Sequence, residues 1–176
     1  MQQNEGATTL RASDSALSNA QPLQHLVVLS VVSLGLYPSY WLYRNLKLLK
    51  AHKGLSISPL WRTFFAFIPV LGWPIFKDQL QLFAETAAAA GVESTILPWP
   101  QTLGFQLVSA TAWVVPLPWG ACAAAAVVFL LPTQRALNAY WGVEQPASVT
   151  TSRYSLGEIA FASVCAAFWV LMFAVL

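Results

Sequence analysis

Charged residues are scarce in this chain. Aspartate, glutamate, lysine and arginine make up 9% of its 176 residues, against about 25% in ordinary soluble domains. The formal net charge of +2 is too small for a nucleic-acid footprint, and the sequence contains no basic stretch with interleaved aromatic residues. We therefore expect no nucleic-acid partner.

Side chains that perform chemistry are also few. The two cysteines, Cys122 and Cys165, lie in apolar segments, and packing is the first interpretation of them, with a disulfide or metal site as the alternative. The two histidines have no carboxylate or cysteine at ligand spacing, and the chain has no His-Glu-x-x-His pattern, glycine-rich phosphate loop or nucleophile elbow. These absences predict a protein that is not an enzyme and that uses no cofactor or metal.

Apolar sequence dominates what remains. Hydrophobic residues make up 57% of the chain, and the 41 positions of residues 94–134 contain no charged residue and no histidine. One membrane helix needs about 20 apolar residues, and Pro116 and Pro118 interrupt the run near its middle. The run predicts two membrane helices joined by a tight turn, in an integral, multi-pass membrane protein.

The predicted fold class is an all-α membrane bundle of four full spans, one re-entrant or kinked segment and one interfacial amphipathic helix. Residues 1–22 are expected to form a disordered polar tail, and residues 23–176 a single polytopic membrane domain. The full spans are predicted at 26–43, 99–115, 116–131 and 156–176.

Prolines and hydrophobic periodicity define the other predicted elements. Residues 60–76 are interrupted by two prolines and a glycine, which favours a re-entrant or kinked segment, whereas residues 77–90 have amphipathic helical spacing and stop at Gly91. Pro38 is expected to kink the first span, and Pro132 to end the fourth before a polar loop at 133–155.

Lysine and arginine positions discriminate between topologies. With the N-terminus outside and 60–76 re-entrant, eight cationic residues face the cytoplasm and one faces outward, whereas a spanning 60–76 segment gives five and four. The positive-inside bias favours the first arrangement. A third arrangement, with the N-terminus inside and the first segment folded as a hairpin, also agrees with the charges.

Two sets of residues are candidate sites. Aromatic and cationic side chains at i, i+3, i+4 and i+7 share one helix face, and three lysines follow them. The candidate headgroup or partner surface consists of Tyr37, Tyr40, Trp41, Arg44, Lys47, Lys50 and Lys53, with interfacial anchoring as the alternative. The candidate intramembrane polar residues are Arg62, Gln106 and Glu158, for which structural roles, including a mutual Arg62–Glu158 pair, are the alternative.

Three sequence blocks also carry a resemblance. They are LGLYPSYWLYRNLK at 34–47, ISPLWR at 57–62 and LPTQRALN at 131–138. Together they are similar to a family of uncharacterised bacterial integral membrane proteins, a domain of unknown function whose first span reads G-x-Y-x-x-Y-W-x-Y-R/K. The resemblance covers about residues 25–176. It implies a multi-pass protein of the bacterial inner membrane, and it provides no catalytic residues.

Three functions follow as hypotheses. The first is a scaffold or accessory subunit of a membrane assembly, in contact with the lipid bilayer and with a membrane-protein partner or a second copy of itself, through small-residue runs such as 121–126. The second is a small oligomeric transporter or channel in which the broken segment 60–76 lines a cavity. The third is a binder of lipid headgroups that uses the cationic end of the first span.

Overall fold

The computed structural model describes residues 20–68, 71–114, 124–146 and 154–175. The helices in these ranges are α1 (Leu23–Val32), α2 (Tyr37–Lys53), α3 (Pro59–Ala66), α4 (Gly72–Ala89), α5 (Pro98–Val114), a 3-10 segment (Ala126–Leu130), α6 (Leu131–Glu144) and α7 (Leu156–Val175). The all-helical part of the predicted fold class is confirmed for these ranges. Most of the predicted polar tail, residues 1–19, lies outside them.

The predicted first span, 26–43, consists of two helices. The chain turns after α1, where Leu34 and Gly35 have φ angles of 49° and 85°, in the left-handed region that glycine adopts most readily. Pro38 lies in the first turn of α2, where its missing N–H removes no helical hydrogen bond. The expected kink at Pro38 is therefore wrong, because a new helix begins there.

The second predicted segment, 60–76, is also divided. It contains α3 and the beginning of α4, with residues 69–70 between them outside the described ranges, and the two helices meet closely at Gly72. A Cβ atom on Gly72 would lie 2.3 Å from the carbonyl oxygen of Ala66, so only glycine permits this approach. The sequence predicted a break here as a re-entrant or kinked membrane segment, whereas the described residues on either side of it belong to two helices of one bundle.

Helix α4 occupies the centre of the bundle. Its buried residues Phe76, Leu80, Phe83 and Ala87 recur every three or four positions, and the helix packs against α3, α5 and α6. It stops at Gly91, which has a φ of 74°, while the N–H of Val92 donates to the carbonyl of Ala87 at 3.0 Å. The stop signal is confirmed, but the helix predicted to be interfacial packs one face against three other helices of the bundle.

Helix α6 replaces most of the predicted polar loop at 133–155. Pro132 lies in its first turn, where proline is compatible with helix initiation, so Pro132 begins a helix and does not terminate one. Leu137, Tyr140 and Trp141 of α6 are buried in the core. Polar composition alone led to the wrong prediction here, since the large side chains of Leu137, Tyr140 and Trp141 face inward, although Val143 is 57% exposed.

In the parts of the chain that the structure describes, no helix combines the length and the apolar character needed to cross a membrane. Helices α1 and α3 have 10 and 8 residues, roughly 15 Å and 12 Å of rise, against a hydrocarbon core of about 30 Å. The predicted four full spans, the charge-based topologies and the multi-pass inner-membrane localisation are therefore wrong. Part of the fourth predicted span, residues 116–123, lies outside the described ranges.

Candidate functional site: a lysine groove and a buried carboxylate

Helix α2 carries the seven residues of the candidate surface, and the structure divides them between the core and the exterior. Tyr37 and Trp41 are fully buried. Tyr40 is half-buried and stacks on Phe161 of α7, with ring centroids 5.2 Å apart. Arg44 points to a buried carboxylate, and the three lysines are exposed. The aromatic part of this face packs the bundle, so it does not form an exposed surface.

Glu158 of α7 is the carboxylate that Arg44 meets. Its side chain is 2% exposed, and its Oε1 accepts hydrogen bonds from the Tyr37 hydroxyl (3.0 Å), the Gln21 amide (2.8 Å) and the Arg44 guanidinium (2.7 Å). Its Oε2 accepts from the backbone N–H of Ser155 at 2.7 Å. Because donors surround both oxygens, the buried charge is paired and hydrogen-bonded, as such a charge requires.

The same carboxylate affects the protonation of its neighbour. Burial, and after it the negative charge of Glu158, raise the pKa of Tyr37 well above the ordinary value of a phenol. The Tyr37 hydroxyl therefore remains protonated and donates to Glu158. This chemistry suits a fixed structural contact, because the proton that holds the two side chains together is not released.

Polar contacts continue from this carboxylate into α6. The side chain of Asn138 accepts from the backbone N–H of Gln21 at 2.9 Å and donates to its carbonyl oxygen at 2.8 Å. Gln134 donates to Asn138 at 2.6 Å, and it accepts from the indole N–H of Trp41. Gln21 is 3% exposed, so the end of the predicted disordered tail is packed inside the molecule.

The other two candidate polar residues lie apart from Glu158. Gln106 of α5 donates to the carbonyl of Ala66 at the end of α3, at 3.0 Å, which is the interhelical role that its sequence context suggested. Arg62 of α3 is half-buried and lines surface grooves with Asp78 of α4. The alternative of an Arg62–Glu158 pair is wrong, because Arg44 occupies that position.

A surface groove of about 540 Å³ contains two of the predicted lysines. One wall is a face of α2, and the other is the segment that leads into α3. Its lining residues are Tyr43, Lys47, Lys50, Ala51, Gly54, Leu55, Ser58, Pro59 and Leu60. None of these described residues carries a carboxylate, so the two ammonium groups make the groove electropositive. We call this feature the lysine groove.

Two residues show how the groove differs from the predicted surface. The Lys53 ammonium lies over the ring of Tyr140, 5.5 Å from its centroid, in a cation–π contact outside the groove. Tyr43 lines the groove but was absent from the predicted set. Its position four residues before Lys47 places it on the same helix face, and that spacing was the signal available in the sequence.

Large apolar side chains lie exposed immediately beyond the groove. In α3, Leu60 is 65% exposed, Trp61 and Phe64 are each 59% exposed, and Phe65 is 40% exposed. The rings of Trp61 and Phe65 stack with centroids 5.9 Å apart. We call these four residues the aromatic face. An exposed apolar patch beside cationic side chains is typical of a surface that meets an amphipathic ligand.

No group of three or more histidine, cysteine, aspartate or glutamate side chains in the described residues could hold a metal ion. Cys165 is a buried free thiol, and burial raises its pKa, which disfavours the reactive thiolate. Cys122 lies outside the described ranges. The prediction that the protein is not an enzyme stays a prediction.

Comparison of the chain with models of protein families, with curated proteins and with solved structures finds no match. The resemblance to uncharacterised bacterial membrane proteins therefore stays a prediction.

Proposed function

We propose that this protein binds an anionic phospholipid, with the headgroup phosphate in the lysine groove and the acyl chains against the aromatic face. The observation that carries the proposal is the groove itself, in which Lys47 and Lys50 stand one helical turn apart beside the apolar side chains of Pro59 and Leu60. One ligand that carries both a negative charge and a long apolar part can pair its charge with the lysines and pack its apolar part on the apolar side chains.

Electrostatics support the phosphate position. Two neighbouring ammonium groups with no carboxylate among the described lining residues repel each other, and an anion between them relieves that repulsion. Ser58 and Tyr43 add hydroxyl groups to the lining, and hydroxyl groups donate hydrogen bonds to phosphate oxygens. The groove volume of about 540 Å³ is within the usual size range of ligand sites.

The aromatic face supports the position of the acyl chains. Leu60 belongs to both surfaces, because it lines the groove and is exposed on α3. A lipid whose phosphate lies in the groove can therefore place its first methylene groups on Leu60 and the following ones on Trp61 and Phe64. Each buried methylene contributes roughly 0.8 kcal/mol, so a few such contacts suffice for measurable affinity.

Vesicle binding tests the proposal. Lys47→Gln/Lys50→Gln removes both groove charges, and we expect about thirtyfold weaker partition onto phosphatidylglycerol vesicles, at roughly 1 kcal/mol per lysine. The matched control is Lys53→Gln/Arg135→Gln, which removes the same net charge at exposed positions outside the groove. The measurement is sedimentation with vesicles of phosphatidylglycerol or of phosphatidylcholine.

The control separates a site from general charge attraction. If both double variants lose the same affinity, the net charge of the protein governs binding and the groove is not a lipid site. If the unaltered protein binds phosphatidylcholine as well as phosphatidylglycerol, the assignment of the phosphate to the lysines is wrong.

We also propose a role as an accessory subunit, on the basis of the outer surface of α7. Leu156, Val164, Val170 and Leu171 are each more than 65% exposed along this helix, and α7 packs mainly on α1. An exposed surface of several large apolar side chains suits a partner polypeptide.

Purification of this protein with its partners tests the accessory role. Affinity purification under mild conditions, followed by mass spectrometry, should recover a stoichiometric partner, and Val164→Glu should release that partner.

A further inference from the structure

A second groove, between α3 and α4, has a different chemistry. It has a volume of about 200 Å³ and is lined by Trp61, Arg62, Phe65, Ile75, Asp78 and Gln79. A neighbouring groove of about 290 Å³ shares Arg62 and Asp78 and adds Gln81 and Glu85. The two grooves therefore meet at one cation and one carboxylate. We call the smaller one the Arg62 groove.

Gln79 is the unusual residue of the Arg62 groove. It is fully buried, yet within the described residues neither its amide nitrogen nor its amide oxygen has a hydrogen-bond partner. Buried amides in folded proteins are nearly always hydrogen-bonded, because an unpaired group retains its desolvation cost. An unpaired donor and an unpaired acceptor in the lining of a groove are the arrangement expected where a ligand supplies both partners.

Arg62 is the second unpaired group. Its guanidinium carries five N–H donors in a planar fork that matches a carboxylate or phosphate. Among the described residues it forms no ion pair, although Asp78 lines the same two grooves. Asp78 pairs with its neighbour Lys77 at 3.0 Å and is 61% exposed, so lone pairs of its carboxylate remain accessible.

We propose that the Arg62 groove binds a small zwitterion whose anionic group pairs with Arg62 and whose ammonium group pairs with Asp78. A simple anion fits less well, because Asp78 lines the Arg62 groove beside the guanidinium and Glu85 lines the neighbouring groove. A simple cation leaves Arg62 unpaired. A molecule that carries both charges a few bonds apart satisfies both residues.

The lining residues and the volume of the Arg62 groove restrict the size and polarity of the uncharged part of the ligand. Trp61, Phe65 and Ile75 provide one apolar side, and the tryptophan ring also favours a neighbouring ammonium group through cation–π attraction. About 200 Å³ accommodates a molecule of amino-acid size. Two sources share this chemistry, a free α-amino acid with an apolar side chain and the phosphoethanolamine headgroup of a lipid.

Calorimetric titration of the purified chain of 176 residues distinguishes the two sources. The probes are leucine, phenylalanine, phosphoethanolamine, N-acetyl-leucine, which lacks the ammonium group, and leucine amide, which lacks the carboxylate. We expect one of the zwitterions to bind, and both leucine derivatives to bind about tenfold more weakly than leucine or not at all. Preference for leucine or phenylalanine assigns the groove to an amino acid, and preference for phosphoethanolamine assigns it to a headgroup.

Variants tie the binding to the groove. Arg62→Gln and Asp78→Asn should each weaken binding of the zwitterion about tenfold or more, while Arg135→Gln, at an exposed arginine on α6, should not change it. Gln79→Leu should weaken binding without lowering the melting temperature of the unliganded protein, because it removes an unpaired amide. A merely structural Gln79 would lower that temperature when replaced.

Three results would overturn the proposal. The first is that no zwitterion binds at millimolar concentration. The second is that N-acetyl-leucine binds as tightly as leucine, which makes the site a simple anion site. The third is that Arg62→Gln and Arg135→Gln bind equally well. None of these outcomes bears on the lysine groove, because Lys47→Gln/Lys50→Gln tests that groove separately.

Discussion

Glu158 connects three parts of the fold through one buried carboxylate. Its carboxylate joins α7 to α2 through Tyr37 and Arg44, and to the segment before α1 through Gln21. A buried ion pair is weak evidence of stability by itself, because desolvation offsets much of the attraction. Once such a pair is formed, however, removal of one partner leaves the other charge without compensation, and that loss is large.

Replacement of this carboxylate should therefore destabilise the fold. Glu158→Gln keeps the shape of the side chain but removes the charge that Arg44 neutralises, and we expect a loss of about 3 kcal/mol in the free energy of unfolding. Chemical denaturation measures it. The matched control is Glu93→Gln, at an exposed glutamate, which should change stability by less than about 0.5 kcal/mol.

A double-mutant cycle then tests the partner. If Arg44→Gln and Glu158→Gln act on one interaction, the double variant should lose less stability than the sum of the two single losses. Strict additivity would show that Arg44 and Glu158 contribute independently, contrary to the 2.7 Å contact between them.

The sequence identified both partners but not their pairing. Arg44 was singled out as part of an aromatic and cationic helix face, and Glu158 as a charge near the boundary of a predicted span. Their separation of 114 positions is the reason that the pair was missed, since local spacing relates residues only within one helix. Arg62 was offered as the partner of Glu158, although the fold places it beside α4.

At the scale of elements, the sequence predicted the positions of helices better than their limits. Hydrophobic periodicity located most of α4, the run without charged residues located α5, and the apolar C-terminal stretch located α7. Prolines caused the main errors, because Pro38 and Pro132 were taken as kinks or stops although both lie in first turns. One proline is compatible with either role, and the choice depends on tertiary contacts that a single sequence does not display.

The contact between α5 and the 3-10 segment depends on a glycine. A Cβ atom on Gly104 would lie 2.2 Å from the ring of Phe129, so Gly104→Ala must displace that ring or separate the two elements. We expect a loss of about 1–3 kcal/mol in the free energy of unfolding. The opposite result is expected for Gly142→Ala in α6, where no atom lies within 4 Å, because alanine favours a helix by roughly 0.5–1 kcal/mol.

A second substitution tests whether contact with the Phe129 ring causes the loss of stability. In a Gly104→Ala background, Phe129→Leu removes ring atoms at the point of contact and should restore part of the lost stability. If Gly104→Ala is as stable as the unaltered protein, or if Phe129→Leu gives no recovery, the close approach of α5 to the 3-10 segment does not exist in solution.

At the scale of the whole molecule, the polar contacts connect parts of the chain that are distant in sequence. Gln21 contacts Glu158 of α7 and Asn138 of α6, and Trp41 of α2 joins the same network through Gln134. The sequence did not predict this connection, because residues 1–22 have the polar composition of a disordered tail. Composition describes a segment alone, whereas Gln21 is held by the side chains of Asn138 and Glu158, more than 100 positions away.

Asn138 should hold the start of the described chain in place. Its side chain makes two hydrogen bonds to the backbone of Gln21, each contributing about 1 kcal/mol. Asn138→Ala should therefore raise the amide exchange rate at Gln21 by about thirtyfold, measured by hydrogen–deuterium exchange with mass spectrometry. Exchange in the centre of α4 should stay unchanged, because that helix is buried by apolar contacts that the substitution does not touch.

The control for this experiment is Gln81→Ala, which removes a side-chain hydrogen bond to Glu85 within α4 and leaves Gln21 untouched. Faster exchange at Gln21 in both variants would indicate general loosening of the bundle. No change in Asn138→Ala would mean that the contacts of the Gln21 side chain with Tyr37 and Glu158 suffice to hold the segment. Exchange that rises at Gln21 and at the first turn of α7 together would show that both are anchored as one unit, because Glu158 accepts from Gln21 and caps the N–H of Ser155.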